Sequence, residues 1–300
     1  MRTSPHLASS SALPPIGMIA GGGRLPIAAA QGIRAAGRSV CCVGLAEQYD
    51  DDLPGLCDQF RRVGLVQVGK WARVLRRWGC REAVILGKVH KTRMYDPMAW
   101  LRYRPDWTAA KIWFWQLRND RRADSLLSAV ADELQQDGVT LIDSTRYIPQ
   151  CMAEEGVMGK VKPSAGNEAD IAFVLPIVQR MGDLDIGQAV AVADRDVLAV
   201  EAIEGTDAMI ERAGQLCSKG KWTLVKIAKP NQDMRFDVPT VGPNTIEKLA
   251  AQRANCLAIE AGRTIVLDRE AMIAAADSAG IAVVGIRLSD PAPAGGQAVE

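Results

Sequence analysis

The opening of the chain constrains its fold most. Ile16–Ala20 is a short apolar run, three glycines follow at 21–23, and an Ala-rich stretch from Arg24 to Ala36 is closed by Gly37. Ser39–Leu45 is then a second apolar run. Apolar runs of this length without polar alternation are strands covered on both faces, and an intervening helix gives a βαβ unit. The expectation is an α/β fold opening on a Rossmann-like parallel sheet.

The same periodicities continue. Arg62–Val68 and Glu82–Leu86 are predicted strands with a basic helix, Trp71–Trp78, between them. Ala123–Gln136 has helical amphipathicity and Val139–Ile142 is a strand after it. Pro149, Gly156, Gly159, Pro163 and Gly166 then interrupt the pattern. Beyond them come helix Glu168–Met181, strands Ala189–Ala193 and Val197–Ile203, helix Asp207–Cys217 and strand Thr223–Ile227. A loop through Arg235–Pro243 leads to helix Asn244–Arg253, strands Cys256–Glu260 and Thr264–Leu267, helix Arg269–Ser278 and strand Ile281–Ile286. A 300-residue chain suits two domains. The predicted organisation is a disordered tail over 1–15, a nucleotide-binding Rossmann-like domain over 16–148, a linker over 149–167, a second α/β domain over 168–287 and a loose tail over 288–300.

Composition removes several function classes. The net charge of +1 does not call for nucleic acid as a partner. The seven cysteines are odd in number and form no Cys-x-x-Cys pair, which argues for reduced thiols in the cytoplasm rather than a disulfide framework or a zinc site. No apolar run approaches the roughly 18–20 residues that cross a bilayer, and the first fifteen residues lack the apolar core of a signal peptide. The only histidines are His6, which sits in the tail, and His90, and this argues against a Ser-His-Asp triad or a two-His metal site. A bound metal would therefore be held by carboxylates, which selects a hard ion such as Mg²⁺.

Four stretches could carry chemistry. Gly21–Gly23 lies between a strand and a helix, where backbone N–H groups can meet a phosphate; a tight turn is the plainer explanation. The stretch 70–122 holds fourteen Lys/Arg against four Asp/Glu, and six of the seven tryptophans. That mixture suits an anionic lipid surface, or simply a solvated basic face with Trp in the core. In 197–207 an apolar strand runs into Glu201, Glu204, Gly205, Thr206 and Asp207. Thr206 is the expected N-cap, and the two glutamates, three apart on a strand, would face opposite sides. Lys226 and Lys229 close a strand ahead of Asp237, and such cations and carboxylates at strand ends suit pyrophosphate cleavage.

Several strings together resemble the LpxI family of UDP-2,3-diacylglucosamine pyrophosphatases. They are Gly21-Gly-Gly-Arg-Leu-Pro26, Leu184-Asp-Ile-Gly-Gln-Ala189, Val200-Glu-Ala-Ile-Glu-Gly-Thr-Asp207, Arg235-Phe-Asp-Val-Pro-Thr-Val-Gly242, Glu260-Ala-Gly262 and Asp268-Arg269, in order over roughly 16–287. The resemblance implies two α/β domains with the ligand held between them. It implies hydrolysis of UDP-2,3-diacylglucosamine to 2,3-diacylglucosamine 1-phosphate and UMP, with attack at the sugar-side phosphorus and Mg²⁺ as cofactor. It implies catalytic roles for Asp237, Lys226 and Asp207. Substrate contacts are expected from Gly22, Gly23, Leu25, Gln188, Glu201, Ala202, Gly205, Thr206, Lys229, Pro239, Thr240 and Gly242. Asp237 with Glu204 would hold the metal, Glu201 being the alternative to Glu204. The partner is a nucleotide-linked diacylated glucosamine lipid, met at the cytoplasmic inner-membrane surface; a homodimer is left open. One departure stands out: family members carry Asp-Asp where this chain has Ala123-Asp124.

Two other classes compete. The strand–glycine–helix opening also suits a Rossmann oxidoreductase, although Pro26 interrupts a full Gly-x-Gly-x-x-Gly pattern. The basic, Trp-rich stretch also suits a non-catalytic module binding a nucleotide-linked lipid or an anionic membrane.

Overall fold

The computed structural model describes residues 13–89, 106–115, 123–230 and 232–288. His6, His90 and Trp100, most of the expected N-terminal tail, nearly all of the expected C-terminal tail and part of the basic Trp-rich stretch lie outside the described residues. The chain divides into two compact units, Met1–Pro149 with Asp233–Asp237, and Gln150–Gln232 with Val238–Glu300.

The first unit is a five-stranded parallel sheet. Its strands are β1 (Ile16–Ala20), β2 (Val40–Leu45), β3 (Gln59–Val63), β4 (Glu82–Leu86) and β5 (Thr140–Leu141), ordered β3-β2-β1-β4-β5. This is the Rossmann-like order, in which the strand sequence reverses beside β1 and ligands bind outside the strands' carboxyl ends. β1 and β2 are buried at every position, as their unbroken apolar runs require. Helix α1 (Arg24–Ala35) buries Pro26, Ala29, Ala30 and Ile33. Helix α2 (Val68–Arg77) buries Trp71, Val74 and Leu75 and keeps its arginines outside. With α3 (Trp107–Trp115) and α4 (Ala123–Gln136), it closes a core that includes Ile19, Cys41, Val43, Ile112 and Leu134.

β3 corrects the expected strand at 62–68. It begins three residues earlier and ends at Val63, because Gly64 and Gln67 form a turn. Gln67 donates its backbone N–H to the Gly64 carbonyl at 3.2 Å, and its Oε1 accepts the Gly64 N–H at 3.3 Å. Leu65 and Val66 looked like strand because they are apolar; Leu65 is instead packed against the core from the turn. Helix α3 was not foreseen.

The second unit is a six-stranded mixed sheet. Its strands are β6 (Gly156–Val157), β7 (Ala189–Ala193), β8 (Asp196–Val200), β9 (Thr223–Lys226), β11 (Cys256–Glu260) and β13 (Ala282–Ile286), ordered β6-β13-β11-β9-β7-β8. β9, β11 and β13 are parallel; β7 runs against β9, and β8 against β7. Helix α5 (Ala165–Asp183) covers one face, over Val190, Val225 and Ala258. Helices α6 (Gly205–Leu216), α7 (Pro243–Ala251) and α8 (Arg269–Ala279) cover the other, around the fully buried Trp222. Two short strands, β10 (Thr240–Val241) and β12 (Ile265–Val266), pair with each other in parallel. The stretch 149–167, expected as a linker, holds a 3₁₀ turn at Pro149–Cys151, strand β6 and the Ser164 N-cap of α5, whose hydroxyl accepts the Asn167 N–H at 3.2 Å.

Gly32 provides a test of the first unit's packing. A methyl added there would land on the Tyr147 carbonyl oxygen. Alanine in a helix is normally favoured over glycine by about 1 kcal/mol, but overpacking against backbone costs about 1–3 kcal/mol. Gly32→Ala is expected to destabilise the protein, read as a lower urea midpoint with an unchanged slope.

Candidate active site

The strand ends of the second unit bring four of the expected residues together. Lys226 is the last residue of β9, opposite Ala189 of β7 and Ile259 of β11, and is 7% exposed. Its Nζ donates to Thr206 Oγ1 at 3.0 Å. The Thr206 hydroxyl donates in turn to Glu201 Oε1 at 2.7 Å. Glu201, also 7% exposed, accepts the Gln188 N–H through Oε2 at 3.4 Å. The backbone is sewn around them: Glu201 N–H donates to Ala189 O and Ile227 N–H to Gln188 O, at 2.9 and 3.0 Å. Gly187 is required at this crossing, since a side chain there would strike the Glu201 carbonyl. The Gln188 Oε1 is buried and accepts no hydrogen bond among the described residues.

This geometry corrects the reading of 197–207. β8 ends at Val200, so strand alternation does not govern the two glutamates. Glu201 turns inward, whereas Glu204 takes the N-cap position of α6 on the surface. Thr206 is not the cap; it lies in the first turn and spends its hydroxyl on Glu201 and Lys226. Gly205, with φ +80°, makes the bend that a residue with a side chain would resist. Glu204 pairs with Arg212 and accepts the Ala202 N–H at 3.2 Å. Its own backbone N–H and Arg212 hold its carboxyl below the usual range. Asp207 pairs with Lys248 at 2.5 Å and its side chain is 59% exposed. Lys229 Nζ donates to Asp185 Oδ1 at 2.5 Å.

Asp237 belongs to the first unit. The chain leaves the second unit after Gln232 and returns at Val238. In between, the Met234 carbonyl accepts the Ser144 N–H at 3.0 Å and the Ser144 hydroxyl at 2.8 Å, and Phe236 packs against the core of α2 and α4. Arg235 grips Asp233 with Nε and Nη2, at 2.6 Å for the shortest contact, and lies 5.3 Å from the Phe236 ring centre. Asp237 donates its N–H to the Asp233 carbonyl at 3.0 Å and is half-buried. Pro239 is buried and its carbonyl accepts the Ile265 N–H; the Thr240 hydroxyl donates to Val238 O, and the Gly242 N–H to Thr245 Oγ1.

The glycine-rich turn sits at the switch point of the first sheet. Gly22 bridges Lys88 beyond β4, each N–H donating to the other's carbonyl. A methyl at Gly21 would come within 2.6 Å of the Lys88 carbonyl, and one at Gly22 would strike Gln48 O. Close backbone approach thus accounts for these two glycines. Gly23, with φ +93°, has nothing near its missing side chain, and its N–H donates to Asp50 Oδ2 at 3.0 Å. Leu25 lies half-buried in the first turn of α1.

Sequence reasoning gave no role to Asp50, Glu260 or Arg263. Asp50 opens the run Asp50-Asp51-Asp52, and Glu260 ends an otherwise apolar strand; both signals were present. The described residues contain no cluster of three or more His, Cys, Asp or Glu side chains able to hold a metal.

The model of the LpxI N-terminal domain matches residues 15–151, and that of the LpxI C-terminal domain matches residues 154–284. The chain belongs to the LpxI family. A relative in Caulobacter vibrioides, named UDP-2,3-diacylglucosamine pyrophosphatase LpxI, is 36% identical over 282 residues, which cover 90% of this chain and 97% of the relative. In this LpxI-family chain no helix among the described residues is long and apolar enough to cross a membrane.

The Asp233–Arg235 pair predicts a pH dependence. The hydrogen-bonded guanidinium holds the Asp233 carboxyl below its ordinary 3.8. A depressed carboxylate adds stability above its unfolded value and loses it as pH falls through the folded one. Asp233→Asn should lower the urea midpoint at pH 7, and the gap from wild type should close as pH drops below 3.8.

Proposed function

We propose that this chain hydrolyses the pyrophosphate of UDP-2,3-diacylglucosamine to UMP and 2,3-diacylglucosamine 1-phosphate, a step of lipid A biosynthesis. The observation that carries the reading is the buried Lys226–Thr206–Glu201 chain at the strand ends, in a protein related over nearly its whole length to a pyrophosphatase of that name. A nearly buried ammonium held by a hydroxyl suits a phosphoanhydride, whose charge needs fixed donors in a site poor in water. Water would bond to the sugar-side phosphorus, and the bridging oxygen would leave with UMP. Lys226 would offset the charge, Asp237 would be the carboxylate that holds the metal, and the turn at Gly22–Gly23 would meet the nucleotide end. Lys229 would need to exchange Asp185 for a phosphate oxygen, and Asp207 would need to leave Lys248.

In this reading a magnesium ion would be held by one or two carboxylates together with substrate oxygens. Asp237 is the ligand this reading favours; Glu204, committed to Arg212, is the weaker partner to it, and Glu201 is already shared by Thr206 and Gln188. The chemistry a bound ion supplies is polarisation of the phosphorus and neutralisation of its oxygens.

A separate observation favours peripheral membrane contact. Trp107 and Phe114, seven apart on α3, are 86% and 64% exposed. Beside them Arg73 is exposed on α2, its Nε bonded to the carbonyl of Gly69, against which Thr108 packs. Aromatics with arginine suit an anionic bilayer surface. Trp71, by contrast, is core, with its indole N–H on Gly64 O at 3.0 Å.

The test of the reaction is UMP release with magnesium and with EDTA. Wild type should release UMP only with the metal, and Asp237→Ala should fold normally and lose about 10³-fold or more in kcat. A folded wild type that releases none would overturn the reading in favour of a binding module. The test of membrane contact is flotation with phosphatidylglycerol-containing vesicles. Trp107→Ser/Phe114→Ser should bind about tenfold more weakly while hydrolysing detergent-dispersed substrate at the wild-type rate. Unchanged flotation removes α3 from the contact.

A further inference from the structure

The loop leaving β9 begins at Lys226 and is anchored by a buried charge. Glu260 ends β11 beside Lys226 and is 4% exposed. Its Oε2 accepts the Ala228 N–H at 2.7 Å, and its Oε1 lies 3.5 Å from Nη1 of Arg263. The second guanidinium nitrogen of Arg263 donates to the Lys229 carbonyl at 3.2 Å. Gln232 closes the same loop, its Oε1 accepting the Lys229 N–H at 2.9 Å. Three residues of the loop are therefore tied, and the chain crosses to the first unit at the next position.

Holding the Ala228 N–H requires only a neutral acceptor. A buried carboxylate is an expensive way to supply one, because its desolvation costs several kcal/mol that a single hydrogen bond does not return. Burial accordingly raises the Glu260 carboxyl above its usual range. A raised carboxyl means that the ionised form weakens the fold at neutral pH, and that this cost fades as pH falls through the folded value. What needs the negative charge is Arg263, and what Arg263 holds is the Lys229 carbonyl. A glutamine could keep the first contact but not orient the guanidinium for the second.

We propose that Glu260 and Arg263 act as a positioning pair that fixes the loop leaving β9 at Ala228 and Lys229, and so holds Lys226 in place at the end of β9 for the hydrolysis. The pair touches no reacting atom in this scheme. It rests on the proposed pyrophosphatase reading for its catalytic consequence, but the ordering of the loop does not depend on that reading.

The experiment uses the full chain with Glu260→Gln, Arg263→Ala and the double variant. Hydrogen exchange should speed about tenfold at the amides of Ala228 and Lys229 in each variant, while β7 and β11 keep wild-type protection. In the UMP assay kcat should fall about tenfold with KM within about twofold, and the double variant should lose no more than the worse single one. Glu260→Gln should melt at or above the wild-type temperature at pH 7, because it removes a buried charge, so a lower kcat is not a loss of fold. Unchanged exchange at Ala228 and Lys229 overturns the proposal whatever the assay gives. Faster exchange with unchanged kcat also overturns it, by reducing the pair to a loop staple. A wild type that releases no UMP sinks the pyrophosphatase reading instead, and exchange then decides the loop's anchoring alone.

Discussion

The second unit is organised around one interaction: a buried lysine and a buried glutamate that meet through a threonine hydroxyl. Lys226 ends β9 and Glu201 follows the end of β8, and each would cost several kcal/mol to bury alone. Thr206 satisfies both, giving its proton to the carboxylate and its lone pair to the ammonium. That arrangement demands that the ends of β8 and β9 and the first turn of α6 converge within hydrogen-bond reach. Gly187 and Gly205 are the backbone consequences, one permitting close approach and the other a sharp turn. Gln188 supplies the remaining donor through its backbone.

The chain's second constraint is the short excursion at Asp233–Asp237. These five residues group with the first unit, although the sequence on both sides of them belongs to the second. They are not passengers there. Phe236 completes an apolar cluster, and the Met234 carbonyl takes both donors of Ser144. A first unit cut after Pro149 would lose those contacts and leave Ser144, 2% exposed in the intact chain, without its acceptor. The chain accordingly passes between the two groups of residues three times, after Pro149, after Gln232 and after Asp237. The chemistry proposed for Asp237 therefore depends on packing within the first unit as much as on its neighbours in sequence.

Most of the fold was legible because both sheets are built from short apolar runs bounded by glycine, proline and charge. Ile16–Ala20, Glu82–Leu86, Ala189–Ala193 and Cys256–Glu260 are strands with the predicted bounds. Errors fell where an apolar residue served a turn, as at Leu65, or where a hydroxyl had two uses. Thr206 has the residue type and position of a helix cap, and local sequence cannot reveal that a lysine twenty residues later would claim it. The grouping of Asp233–Asp237 with the first unit was equally hidden, since it depends on Ser144 and Phe236 meeting partners some ninety residues away in the chain. Motif strings located the candidate site; only tertiary geometry sorts its residues into buried partners and surface pairs.

That sorting bears on how an anionic ligand would be received. Gly23 N–H is directed at Asp50, Lys226 reaches Glu201 through Thr206, Lys229 holds Asp185, and Lys248 holds Asp207. Each cation or donor thus has a carboxylate that keeps it oriented. A pyrophosphate would exchange one anionic partner for another, so its binding free energy is a difference between two sets of charge-assisted bonds, not a sum of new ones. The exposed pairs, Lys229 with Asp185 and Lys248 with Asp207, are worth about 0–1 kcal/mol and exchange readily. The buried set does not exchange on those terms: drawing Lys226 off Thr206 would break the bond from a buried ammonium to the hydroxyl that links it to Glu201. The surface lysines are suited to capture, and Lys226 to presenting a charge whose position is already fixed when the phosphate arrives.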